Sequence, residues 1–240
     1  MNNEFLVYDD LAYGAAEHFL NYAAAAVAAR GLARIAISGG STPKATFALL
    51  ANPNEKFAKA MPWHNIELFF VDERAVPPDH AESNYRMVKE ALLSSVPIKA
   101  VYRMKGELEP KQAALEYSAA VRAAFGTDDV RFDIIQLGMG DDGHTASLFS
   151  DTEGLSVDDG IAIANYVPQK SCWRISLTKD LINNARHVFF LIGGVDKAET
   201  LKAVTEGAYK PNELPAQLIK PRDDGLTYLV DKHASVGLPI

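Results

Sequence analysis

The sequence predicts an α/β fold with a mainly parallel sheet covered by helices on both faces. Three observations carry that expectation. Short apolar runs of strand length alternate with segments of helical pattern along the whole chain. Interior runs such as those at 66–73 and 132–138 are largely apolar without alternation, as strands covered on both faces require. Polar or glycine-rich turns follow directly after several runs, where ligands bind in open parallel sheets.

The elements follow in order. FLVY (5–8) reads as a strand. Residues 11–30 are rich in alanine, a strong helix former, and Gly31 stops the helix they predict. ARIAIS (33–38) is a strand, and PKATFALLA (43–51) is a helix that starts on a proline, favourable in a first turn. IELFFVDE (66–73) is a buried strand. Helices are expected at 84–94 and 110–125, and another buried strand at 132–138. IAIANYV (161–167), WRISLT (173–178) and HVFFLIGG (187–194) are strands. A helix over 195–207 and a strand over 226–231 close the chain. No internal repeat, low-complexity tract or linker interrupts the series, so the expectation is one domain over 1–240.

Bulk properties exclude several functions. Hydrophobic residues make up 48% of 240, ample for a core. Against 24 basic side chains stand 31 acidic ones, a net charge of −7, and the basic ones are scattered; no nucleic-acid partner is expected. The N-terminus lacks the charged and apolar regions of a signal peptide, and no apolar run approaches the ~20 residues that span a bilayer. A cytoplasmic protein with no membrane partner is the expectation. The single cysteine, Cys172, cannot form an intrachain disulfide, which fits a reducing compartment, and reads as a small apolar filler. No His or Cys set has zinc spacing, and the adjacent Asp141 and Asp142 point apart, so no metal is expected.

Four turns after expected strands should meet on one edge: SGGSTP (38–43), VDERAVPP (71–78), LGMGDDGHT (137–145) and IGGVDK (192–197). In the first, Gly39 and Gly40 permit unusual backbone angles, and their amides with the following helix start make an anion site. Ser41 and Thr42 add hydroxyls; the alternative is an ordinary capped turn. In the second, Asp72, Glu73 and Arg74 sit at a strand end, and Arg74 suits a phosphate or carboxylate, or else a salt-bridged turn. Arg174 and Lys197 extend the positive set; a lysine in a first helical turn opposes the helix dipole, which a ligand phosphate would offset.

Gly138, Gly140 and Gly143 spell the dinucleotide pattern G-x-G-x-x-G, but the context is wrong. The pattern arrives late, the segment after it is short, and the next strand ends in Asn165 and Tyr166 without an acid for a ribose. The glycines instead turn the backbone around a small ligand and present Asp142 and His144. An imidazole takes and returns a proton near neutrality, and Asp142 is placed to orient it. His144 is therefore the catalytic candidate; His18, His64, His80, His187 and His233 lack such surroundings and read as structural or surface residues.

Together the four turns, SGGSTP, VDERAVPPDHAESNY, LGMGDDGHTASLF and GGVDKA, resemble the 6-phosphogluconolactonases of the glucosamine-6-phosphate isomerase/6-phosphogluconolactonase family. The similarity spans nearly the whole chain. The related deaminases typically read Asp-Glu-Tyr where this chain has Asp72-Glu73-Arg74, and carry a glutamate after the histidine where this chain reads Thr145-Ala146-Ser147-Leu148-Phe149. Both differences favour the lactonases. Two departures are Asp141, where lactonases often have proline, and Ser150, where proline usually follows Leu-Phe.

The resemblance implies a Rossmann-like sheet without dinucleotide binding and the hydrolysis of 6-phospho-D-glucono-1,5-lactone in the oxidative pentose phosphate pathway. It implies His144 as general base, Asp142 orienting it, and Asp72 near the sugar. The SGGST turn, Arg174 and Lys197 would hold the phosphate and Arg74 would help bind the substrate. No cofactor is implied. The one expected partner is the sugar-phosphate lactone, on a monomer or weak homodimer. The alternatives are a deaminase or isomerase on a sugar phosphate, and a non-enzymatic sensor, whose usual DNA-binding segment has no room ahead of the first strand.

Overall fold

The computed structural model describes residues 4–127, 129–223 and 225–239. The chain begins with β1 (Glu4–Tyr8), α1 (Leu11–Arg30), β2 (Ala33–Ile37), α2 (Ser41–Ala51), α3 (Lys56–Ala60) and β3 (Ile66–Phe70). There follow β4 (Asp72–Arg74), α4 (Asn84–Val88), β5 (Ala100–Tyr102), α5 (Pro110–Phe125) and β6 (Ile134–Leu137). The last elements are β7 (Ala162–Val167), β8 (Cys172–Leu177), α6 (Lys179–Asn183), β9 (Val188–Ile192), α7 (Ala198–Glu206) and β10 (Leu226–Asp231).

Seven strands form one wholly parallel sheet in the order β1-β10-β9-β6-β2-β3-β5. Successive residues of each central strand face opposite sides, and helices cover both. On one face Phe19 of α1 and Phe47 of α2 pack at 6.2 Å between ring centres, and Phe19 meets Phe189 of β9 edge-on. On the other, Phe125 at the end of α5 packs against Phe132 at 5.1 Å and Phe69 at 5.9 Å. Ile66 through Phe70 are all buried, which explains the unalternating sequence of β3.

Local signals set the helix limits. Asp10 accepts the Tyr13 N–H at the start of α1, and Gly31 ends it in the left-handed region at φ 75°. Glu109 caps α5, Pro110 occupies its first turn and Gly126 ends it at φ 66°. Among the described residues no helix is long and apolar enough to cross a membrane.

Three expectations are corrected. The run at 66–73 is not one strand: β3 ends at Phe70, and at Asp72 the chain enters a second sheet. There β4, β8 and β7 pair antiparallel, so 161–167 and 173–178 do not extend the parallel sheet. A backbone turn of this kind needs support, and the buried Tyr117 hydroxyl supplies it by donating to Phe70 O and accepting from Phe70 N. The helix expected over 84–94 loosens after Val88 into a π-turn at 89–93, with Ser94 N–H reaching back to Lys89 O. Sequence reading also passed over α3, α6 and β5, each too short for a periodic pattern.

Candidate functional site

An open cleft of about 180 Å³ lies beyond the carboxyl ends of β2, β3 and β6. It is lined by Ser38, Gly39, Asp72, Arg74, Asn84, Gly138, Met139, Gly140, His144, Ala146 and Arg174. Three of the four turns singled out in the sequence therefore meet in one place, joined by Arg174 from the second sheet. The fourth, 192–197, contributes no lining residue; the helix after it, α7, is tied to the glycine turn by Thr200 Oγ1, which donates to Asp141 O. Lys197 does not line the cleft; it precedes α7 as its cap residue and pairs with Asp196 at 3.4 Å.

The glycine turn after β6 is closed by its own backbone. Gly140 N–H donates to His144 O, Gly143 N–H to Gly140 O, and Thr145 Oγ1 to Gly138 O. Gly143 adopts φ 76°, a region that side chains rarely enter. Gly140 serves differently: a Cβ there would overlap His144 Nδ1 and Asp142 Oδ1. That vacancy lets Asp142 fold back on the histidine. Its Oδ1 accepts the His144 backbone N–H at 3.1 Å and Nδ1 at 2.5 Å. Partial burial works against an ionised Asp142, but the hydrogen bond and charge of His144 outweigh it and hold the carboxyl at about 2. The imidazole is fixed on its other side by stacking on Phe149, 3.9 Å between ring centres and 17° between planes. With Nδ1 held by a carboxylate, Nε2 is the nitrogen left to accept a proton.

Asp72 is buried, and both of its oxygens are engaged. Ser147 Oγ donates to Oδ2 at 2.6 Å and Asn84 Nδ2 donates to Oδ1 at 3.2 Å. Ala146, between His144 and Ser147, has φ 51°, so the wall joining the two carries strained backbone.

The positive side of the cleft comes from the second sheet. Arg74 and Arg174 are direct partners across β4 and β8, and both line the cleft. Like charges opposite each other on one sheet face repel unless an anion lies between them. Arg74 donates from one Nη to Glu82 O, while its Nε is buried without a partner. Arg174 lies over the Phe149 ring at 5.8 Å and its Nε approaches Cys172 Sγ at 3.5 Å, so Cys172 abuts the site rather than filling a core.

The SGGSTP turn differs from expectation in two ways. Helix α2 begins at Ser41, so Ser41 and Thr42 lie in its first turn, and Gly40 is the cap residue at φ 121° with no side-chain cap. The first amides of α2 are thus left without a side-chain acceptor, the arrangement that favours an anion. Gly39 does not need unusual backbone angles, since its φ is not positive. It is glycine because a Cβ would overlap Asn84 Oδ1. Asn84, Ser147 and Ala146 are not evident from the sequence as site residues; Asn84 sits in the ESNY segment (82–85), where Ser83 is a visible helix cap.

Among the described residues no three His, Cys, Asp or Glu side chains gather to hold a metal ion.

Comparison with known proteins gives the same picture. The family model described as glucosamine-6-phosphate isomerases/6-phosphogluconolactonase matches residues 8–228. The 6-phosphogluconolactonase of Synechocystis sp. is 38% identical over 89% of this chain and 88% of its own length. A probable 6-phosphogluconolactonase 2 of Oryza sativa is 34% identical over 99% of this chain and 90% of its own. The structure of the Trypanosoma cruzi 6-phosphogluconolactonase superposes with a TM-score of 0.86 at 27% identity, covering 100% of this chain and 98% of that one. With the family model matching most of its length and relatives above 30% identity covered nearly end to end, the chain belongs to the glucosamine-6-phosphate isomerase/6-phosphogluconolactonase family.

Proposed function

We infer that the chain hydrolyses 6-phospho-D-glucono-1,5-lactone to 6-phospho-D-gluconate, working as one sugar-phosphate hydrolase unit. One observation carries the assignment of roles: a histidine fixed by a carboxylate faces the same cleft as two opposed arginines. The first supplies proton transfer and the second a place for a phosphate dianion.

The proposed steps use this geometry. Ionised Asp142 keeps the proton on His144 Nδ1, so Nε2 takes a proton from water as the water oxygen attacks the lactone carbonyl carbon. The tetrahedral intermediate collapses with cleavage of the bond to the ring oxygen. The imidazolium returns its proton to that oxygen, the double role of a positioned imidazole. Arg74 and Arg174, with the uncapped amides at the start of α2, hold the phosphate far from the reacting carbon and thereby orient it. Asp72 lies on the sugar side. No electron sink is required, because the carbonyl is attacked directly.

The test generates the lactone in situ with glucose-6-phosphate dehydrogenase and follows its loss against the spontaneous rate. Wild type should accelerate it, and His144→Ala, folded by circular dichroism, should not. Wild type no faster than the blank would overturn the lactonase reading, and glucosamine 6-phosphate would then be the next substrate. Acceleration retained by His144→Ala would keep the function and reject the base.

A further inference from the structure

We propose that Asn84 is a positioning residue that sets the phosphate turn and the Asp72 carboxylate relative to each other. This rests on the lactonase reading of the site. Asn84 is buried in the wall of the cleft. Its Nδ2 donates to Asp72 O at 3.0 Å and to Oδ1 at 3.2 Å. Its Oδ1 occupies the space where any side chain at position 39 would begin. One amide group therefore touches two strand-end turns that are more than thirty residues apart in sequence and serve opposite ends of the substrate.

Asn84 is itself held from below. The carboxylate of Glu73, 2% exposed, accepts the backbone N–H groups of Asn84, Tyr85 and Arg74, each at 2.8 Å, and the Ser83 hydroxyl at 3.0 Å. A buried acid with four donors ties the first turn of α4 to β4, so Asn84 cannot drift without breaking that knot. The glycine at position 39 then has a reason of its own. Its φ is not positive, and the three atoms nearest a methyl group there all belong to Asn84.

That gives a double-mutant cycle. In the lactone assay Gly39→Ala should lower kcat/KM by about a hundredfold, mainly through KM, as a misplaced binding turn does. In the Asn84→Ala background the same Gly39→Ala change should cost less than about threefold, because the overlapping amide group has gone and only the Cβ at position 84, 3.1 Å from the new methyl, has to give way. Asn84→Asp keeps the side-chain size but removes the donor to Asp72; kcat should fall at least about tenfold with KM within about threefold. A residue of purely structural importance would shift thermal unfolding in all variants without this division between KM and kcat.

An active wild type in which the two substitutions multiply independently would overturn the role of Asn84 and leave the lactonase reading standing. Wild-type kcat in folded Asn84→Asp would do the same. A wild type without activity would overturn the lactonase reading and this role with it.

Discussion

The buried pair of His18 and His187 makes acid stability a quantitative test of the structure. Their Nε2 atoms are 2.7 Å apart, joining α1 to the start of β9, and the two residues are 7% and 5% exposed. Tyr22 stacks on His187 at 3.8 Å and Phe189 meets His18 edge-on. Burial, against a small opposing pull from Glu4, drops His18 from 6.5 to about 4. Burial, then the neighbouring His18, drops His187 to about 3. Both are neutral in the fold, while the unfolded chain protonates them near 6.5. The unfolded state thus binds more protons as pH falls, so stability is full above about pH 7.5 and declines through 6.5 toward the folded values. At pH 5 each histidine costs RT ln(1 + 10^1.5), about 2 kcal/mol, and the pair about 4 kcal/mol. That is a large part of the ~5–15 kcal/mol that holds a typical domain together. The assay is urea unfolding by tryptophan fluorescence at pH 7.5 and pH 5.0, for wild type and His18→Phe/His187→Phe. Phenylalanine suits this aromatic cluster and does not titrate. The double variant should lose about 4 kcal/mol less than wild type across that pH change, whatever its absolute stability. Equal losses in both proteins would refute the reasoning.

Three further outcomes are expected. Arg174→Met removes one of two facing like charges, so the free protein should melt at the wild-type temperature or slightly higher while KM rises at least about tenfold; wild-type KM would remove Arg174 from the phosphate site. Tyr117→Phe leaves both Phe70 backbone groups without their buried partner and should destabilise by about 2–4 kcal/mol in urea unfolding, with kcat lowered if the β3–β4 junction shifts. Gly143→Ala forces a side chain into a positive-φ turn where Leu214 already lies 2.6 Å from the new Cβ; a loss of about 1–3 kcal/mol and of most lactone turnover is expected, measured by thermal unfolding and the coupled assay.

Much of the site is legible in the sequence because its chemistry sits in contiguous turns. A strand followed at once by SGGSTP or by LGMGDDGH can only place those residues at the carboxyl edge of a parallel sheet. The Asp142–His144 contact spans two residues, so the turn alone makes it. The helix 110–125 was readable to the residue, with proline at its start and glycine after its end. What the sequence hid was long-range. Asn84 meets Gly39 across more than forty positions, and Ser147 meets Asp72 across 75.

By itself, then, the sequence determined the mainly parallel α/β architecture, the histidine turn and the glycine-led helix start at SGGSTP, because burial periodicity, capping and turn geometry act over a few neighbouring residues. Only the tertiary structure decided that the chain leaves the parallel sheet at Asp72, because an apolar run reads the same whichever sheet receives it. Only tertiary structure set Arg74 opposite Arg174, since register between strands is a property of packing and not of either strand. And only tertiary structure left Lys197 outside the cleft, because a helix start places its neighbours along an axis that the rest of the fold must aim.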